Sequence, residues 1–123
     1  MVERKVIAES DDQSIVVLLD GSEEILRIDE KLTDDGALIT LTGKLRSDTQ
    51  HNFQDEVNAF ISEDLNVILD FKGVTFLSQA AIGAMMDIQK RIDKIKKGAM
   101  ILRSIPAAVM GKLENYSDLF DIR

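Results

Sequence analysis

The sequence predicts an α/β domain: a mixed β-sheet of four to five strands with helices packed against it, plus an N-terminal extension. Three observations lead to this fold class. From Ala37 onward, strand-like and helix-like patterns alternate three times. The connections between these strands are long enough to contain a helix, so neighbouring strands are expected to be parallel. A hairpin pattern precedes them, and its antiparallel strands make the sheet mixed.

Residues 1–23 are predicted to form the N-terminal extension, and residues 24–123 the main domain. In the extension, the apolar runs Val6–Ala8 and Ile15–Leu19 flank a polar stretch, which predicts a β-hairpin. The two runs would be exposed if they stayed unpaired. We therefore expect the hairpin to extend the edge of the sheet or to pair with a second copy of the chain, which would make a homo-oligomer.

The main domain is predicted to begin with a hairpin and a helix. The strands Leu26–Leu32 and Ala37–Thr42 are joined by the turn signal Asp34–Gly36. Ser47 and Gln50 have the spacing of a capping box, which predicts a helix that begins at this point. The apolar stripe of this helix consists of Phe53, Val57, Phe60 and Ile61.

Three further segments complete the alternation. Asn66–Phe71 is a short apolar run that suits a buried central strand. Ser78 can cap a second helix, which ends at Gly98 after a lysine-rich turn. Ala99–Leu102 is the next strand, and Pro106 suits the start of a third helix. The buried face of the second helix is predicted to contain Ile82, Met85, Met86, Ile92 and Ile95.

The composition argues against several classes of function. The net charge of −7 disfavours binding to nucleic acid and to anionic membrane surfaces. The chain has no cysteine, and the longest apolar run near its start is five residues, which is too short to cross a bilayer. With one histidine, His51, no nucleophile–base pair or metal site can be assembled, and His51 is expected on the surface of the first helix. We therefore expect a cytoplasmic protein with no catalytic residues, no cofactor and no metal.

The pattern from about residue 24 to residue 122 resembles the STAS domain of bacterial anti-sigma factor antagonists. The strand Val67–Phe71 leads through Gly73-Val74 to Ser78–Gly83, which follows the spacing of that family's strand, turn and helix start. Leu41–Leu45 resembles its Leu-x-Gly-x-Leu strand end, and Tyr116–Phe120 resembles its C-terminal segment. The resemblance implies a regulatory protein that binds an anti-sigma factor or a kinase-like regulator.

The same comparison shows where the chain departs from the family pattern. The family's phosphorylated serine falls on Gln79, whose amide cannot accept a phosphoryl group. The preceding acidic residue falls on Ser78, and an acidic position after the Gly-x-Leu segment falls on Arg46. By resemblance, Arg46, Ser78, Gln79 and Ala80 form the partner-binding loop surface. The usual serine phosphorylation switch is therefore expected to be missing.

Three alternatives remain open from the sequence. Ser78 is read as a helix N-cap, but it could also be a phosphoacceptor displaced by one position. Asp70 at the end of a buried strand, together with Asp20, could belong to a receiver-like phosphorylation domain, although no lysine follows the Ala99–Leu102 strand. STAS domains also occur as accessory subunits of lipid or solute transporters.

Overall fold

The computed structural model describes residues 2–60, 66–95 and 100–123. Within these ranges the strands are β1 (Val2–Glu9), β2 (Gln13–Asp20), β3 (Glu23–Thr33), β4 (Gly36–Leu45), β5 (Val67–Leu77), β6 (Met100–Arg103) and β7 (Asp121–Ile122). The helices are α1 (Gln50–Phe60), α2 (Gln79–Ile95) and α3 (Ala107–Leu113). A 3-10 helix covers Glu114–Leu119.

The strands of the described chain form one mixed sheet whose spatial order is the order of the sequence. Neighbours from β1 to β4 are antiparallel, and neighbours from β4 to β7 are parallel. This arrangement confirms the predicted α/β fold class. The sheet has seven strands where we expected four to five, because the extension hairpin adds β2 next to β3 and β1 next to β2, and the C-terminal tail pairs with β6.

The extension hairpin is continuous with the main sheet. β1 pairs with β2, and β2 pairs with β3 through Val16 opposite Ile28 and Leu18 opposite Leu26. These four side chains are fully buried, and they belong to the same core cluster as the rest of the sheet. The extension therefore extends the sheet edge. Both its pairing with a second copy and the domain boundary after residue 23 stay predictions.

The helices cover one face of the sheet. Residues that pair in register share a face, and Ile39, Leu69 and Leu102 pair across β4, β5 and β6. All three are completely buried in one cluster with side chains of the helices. The neighbouring row on the opposite face is only half-buried. The helix residues of this core include Phe53, Val57, Ile82, Met85, Ile92, Val109 and Leu113.

The predicted capping box at Ser47 and Gln50 is wrong, because α1 begins three residues later, at Gln50. The carbonyl of Thr49 accepts the N–H of Phe53 at 3.0 Å. Its Oγ1 accepts the N–H of Arg46 at 2.9 Å, which closes a turn before the helix. Thr49 is buried and Ser47 is exposed, and the threonine hydroxyl bonds the preceding turn instead of capping the N–H groups of α1.

Two other predictions on the elements also need comment. β5 extends to Leu77, well past the predicted strand end at Phe71. Residues 24–33 form a strand, as expected for the STAS-like interpretation. The predictions for Ile61 and for residues 96–99 lie outside the described residues, as does the side chain of Ile95.

Candidate functional site

The loops that carry Arg46 and Ser78 lie side by side. They follow the parallel strands β4 and β5, whose last residues, Leu45 and Leu77, are partners in register. The backbone N–H of Ser78 donates to the carbonyl of Leu45 at 2.9 Å. Because parallel strands end at the same edge of a sheet, Arg46 and Ser78 reach one surface although they are 32 positions apart in sequence. We call Arg46, Ser78, Gln79 and Ala80 the candidate docking surface.

Ser78 has the geometry of a helix N-cap. Its Oγ accepts the N–H of Ala81 at 3.1 Å, and its carbonyl accepts the N–H of Ile82 at 3.2 Å. These contacts satisfy N–H groups of the first turn of α2, which have no partner within the helix. The side chain is half-buried. The capping interpretation thus accounts for the hydroxyl in this structure.

Gln79 and Ala80 are exposed in the first turn of α2. The Gln79 Nε2 group donates a hydrogen bond to the hydroxyl of Tyr116, which lies in the 3-10 helix. The contact joins the start of α2 to the C-terminal segment. The sequence did not predict this hydrogen bond, since Tyr116 is 37 residues away from Gln79. The one sequence feature that pointed to Tyr116 was the family-like segment Tyr116–Phe120.

Arg46 is surrounded by acidic side chains. Its Nε donates to Asp48 Oδ1 at 2.9 Å, and this interaction holds the pKa of the Asp48 carboxyl below its usual range. Asp48 is the main cause that raises the pKa of Arg46, and Asp20 and Glu23 contribute through their charge. Both of these residues flank the β2–β3 turn. Arg46 replaces an acidic residue of the family pattern, but Asp48, Asp20 and Glu23 return negative charge to the same region. The family pattern alone did not indicate these three residues.

An exposed aromatic residue lies beside the candidate docking surface. Phe76 on β5 is 45% exposed and pairs in register with Lys44 on β4. It precedes Ser78 by two residues. Phe76 is not among the residues that the family resemblance assigned to partner binding. Its exposure next to the α2 start makes it a further candidate for contact with a partner.

The acidic residues that suggested a receiver do not form a common site. Asp70 on β5 accepts the N–H of Lys72 at 2.9 Å and the Nε of Arg103 at 3.3 Å. Asp20 lies at the end of β2, which is separated from β5 by two strands. The receiver interpretation is therefore wrong, and Asp70 pairs with an arginine on the neighbouring strand.

His51 is exposed on α1, as predicted, with its Nε2 3.3 Å from Asp55 Oδ2. Among the described residues, no group of three or more histidine, cysteine, aspartate or glutamate side chains is arranged to hold a metal ion. In the same part of the chain, no helix combines the length and the apolar character that a membrane span requires.

Comparison with known proteins identifies the class. The STAS domain family model matches residues 27–122, and the chain belongs to this family. The match begins within β3, so the extension hairpin precedes it. A comparison with curated protein sequences finds no match.

Several solved structures share the fold. An anti-sigma factor antagonist from Mycobacterium paratuberculosis superposes with a TM-score of 0.67 at 12% identity, covering 79% of this chain and 84% of that one. The Thermotoga maritima protein TM1081 gives 0.64 at 21% identity, with 76% and 78% covered. The unphosphorylated anti-sigma factor antagonist SpoIIAA gives 0.59 at 16% identity, with 80% and 86% covered. Identities this low support a common fold and leave function to be argued separately.

Proposed function

We propose that this chain is a non-catalytic regulatory module of the bacterial cytoplasm that binds an anti-sigma factor or a kinase-like regulator through the candidate docking surface. The observation that carries the proposal is the hydrogen bond from Ser78 to the carbonyl of Leu45. It joins two loops of separate strands into one exposed edge, with Arg46, Gln79 and Ala80 beside it. Two of the similar structures are anti-sigma factor antagonists, which supports this class of partner.

We further propose that this surface is always competent to bind. The position of the family's acceptor serine holds Gln79, whose side chain donates to Tyr116. Phosphorylation adds about two negative charges to a serine, and an amide cannot be modified in this way. Control would then depend on the concentration of the protein or on the partner. The rival is phosphorylation of Ser78, whose Oγ accepts the N–H of Ala81 at the start of α2, where free N–H groups could also stabilise a phosphate.

The proposal can be tested by affinity capture from a lysate of the native host, using the full chain as bait and mass spectrometry for identification. We expect an anti-sigma factor or a kinase-like ATPase among the captured proteins. Ala80→Arg should abolish its capture, because it places a long charged side chain on the docking surface. Ala59→Arg is the matched control. Ala59 is also an exposed helical alanine, but it lies on a different helix, near the C-terminal end of α1.

A second pair of variants separates charge from the loss of the Gln79 side chain. Gln79→Asp should weaken capture by mimicking part of the phosphoserine charge, whereas Gln79→Ala should retain most of it. Equal capture by Ala80→Arg and the parent chain would contradict the proposed surface. Capture of transporter subunits in place of a regulator would contradict the proposed partner and favour the accessory-subunit alternative.

A further inference from the structure

Three ionisable side chains from separate elements meet beneath α1. Glu30 on β3 is completely buried, and Glu56 on α1 is 8% exposed. Arg4 on β1 donates through its Nε to Glu56 Oε1, and its side chain is 46% exposed. Arg4 also lies N-terminal to the residues that match the family. The extension therefore supplies a cation to a carboxyl pair of the main domain.

Two carboxyl groups in this position cannot both be charged without cost. Neither Glu30 oxygen has a hydrogen-bond partner among the described residues, and two carboxyl groups can share a hydrogen bond only when one of them holds a proton. Burial raises the pKa of Glu30 to about 9, and the neighbouring Glu56 carboxyl with its charge adds to this effect. The charge of Asp29 acts in the same direction, and Arg4 opposes it. Glu9 also acts on Arg4 through its charge.

The strand that carries Arg4 is an edge strand of the sheet. β1 is outermost, pairs on one side only, and is exposed along its length except at Val2. We propose that the N-terminal hairpin is a latch: Arg4 holds α1 on the sheet through Glu56, and detachment of β1 loosens α1. The latch is a conformational device of the fold and does not depend on the proposed function.

Loosening of α1 would also reach the docking surface. The first turn of α1 is hydrogen-bonded through the carbonyl of Thr49 to Phe53. The same threonine accepts the N–H of Arg46 through its Oγ1. Arg46 and the start of α1 thus form one hydrogen-bonded unit. A change in the latch at Arg4 is therefore coupled to the position of Arg46.

Hydrogen exchange measured by mass spectrometry on the full chain tests the latch. Arg4→Gln should speed amide exchange in residues 50–60 by about 10- to 100-fold, the range expected from losing a hydrogen bond to a charged group. Lys5→Gln is the matched control, because Lys5 is the neighbouring exposed position on the same strand. Equal exchange of residues 50–60 in the two variants would overturn the proposal. Unchanged protection of β5 in both would show that each variant is folded.

A double-variant cycle distinguishes the latch from general weakening of β1. In a chain that carries Glu56→Gln, the residue at position 56 has no charge that would be left unpaired when Arg4 is lost. Arg4→Gln should then change exchange in residues 50–60 by less than about threefold, because a neutral amide left unpaired costs less than a charge. The same acceleration with and without Glu56→Gln would contradict the latch.

Discussion

Replacing Glu30 by glutamine should stabilise the protein at neutral pH. Glu30 is fully buried, and its pKa is raised from 4.5 to about 9, first by burial and then by Glu56. Between these two pH values the native state keeps a proton on Glu30 that the unfolded chain has released. The free energy of unfolding therefore falls as pH rises through this window. A glutamine has nearly the same shape as the protonated acid, carries no charge, and has an amide group that can donate a hydrogen bond.

The size of the effect follows from the same values. Each pH unit between 4.5 and 9 costs about 1.4 kcal/mol of the free energy of unfolding. Neutral pH lies about 2.5 units above the ordinary value, so Glu30→Gln should gain about 3 kcal/mol at pH 7. For a domain of this length the gain corresponds to a rise in melting temperature of about 10 °C. Near pH 4.5 both states of the parent chain can hold the proton, and the difference should be small.

Urea unfolding followed by circular dichroism at several pH values between 4.5 and 8 measures this difference directly. Glu24→Gln is the control, because Glu24 lies on the same strand but is exposed and pairs with Arg27 at 3.0 Å. Its effect should stay within about 0.5 kcal/mol and be nearly independent of pH. Two results would contradict the prediction for Glu30. In one, Glu30→Gln is no more stable than the parent chain at pH 7. In the other, the difference in free energy of unfolding does not grow from pH 5 to pH 8.

Three other predictions concern stability. Ser78→Ala should lower the free energy of unfolding by about 1 kcal/mol through loss of the N-cap, whereas Ser47→Ala should leave it nearly unchanged. Equal effects of the two substitutions in urea unfolding would reject the cap assignment. Gly36→Ala should cost about 2 kcal/mol or more, because φ is +136° and the added Cβ would lie 2.3 Å from a backbone oxygen. Gly83→Ala in the open surroundings of α2 should instead gain about 0.5–1 kcal/mol in the same assay. Deletion of residues 1–20 should lower the melting temperature because it removes core side chains of β2; an unchanged melting temperature and elution volume would show that the extension is dispensable.

Features that depend on neighbours in the sequence could be predicted well. The alternation of strands and helices from Ala37 onward led to the correct fold class, and the serine before α2 proved to be its cap. Local patterns were less reliable where two candidates compete. Ser47 and Thr49 are both residue types that occur at helix starts. The helix begins directly after Thr49, which is buried, whereas Ser47 is exposed, and the sequence does not show this difference in burial.

Features that depend on distant contacts could not be predicted. Leu26 and Ile28 alternate as buried residues, and a glutamate at position 30 reads as the end of the buried face. The two groups that act on its charge, Arg4 and Glu56, are each 26 residues away in sequence. The loops of Arg46 and Ser78 were assigned to one surface by family resemblance. Their contact itself depends on the parallel pairing of β4 and β5.

The central claim is that the protein binds its partner without a serine phosphorylation switch, and the tryptic peptide Gly73–Lys90 tests it most directly. This peptide contains Ser78 and Gln79, and Thr75 is its only other hydroxyl-bearing residue. Its mass should be measured in protein purified from the native host, separately for the free and the partner-bound pools. We expect the peptide to be unmodified in both the free and the partner-bound pools. Stoichiometric phosphate on Ser78, confined to the free pool, would contradict it and show that the switch has moved by one residue.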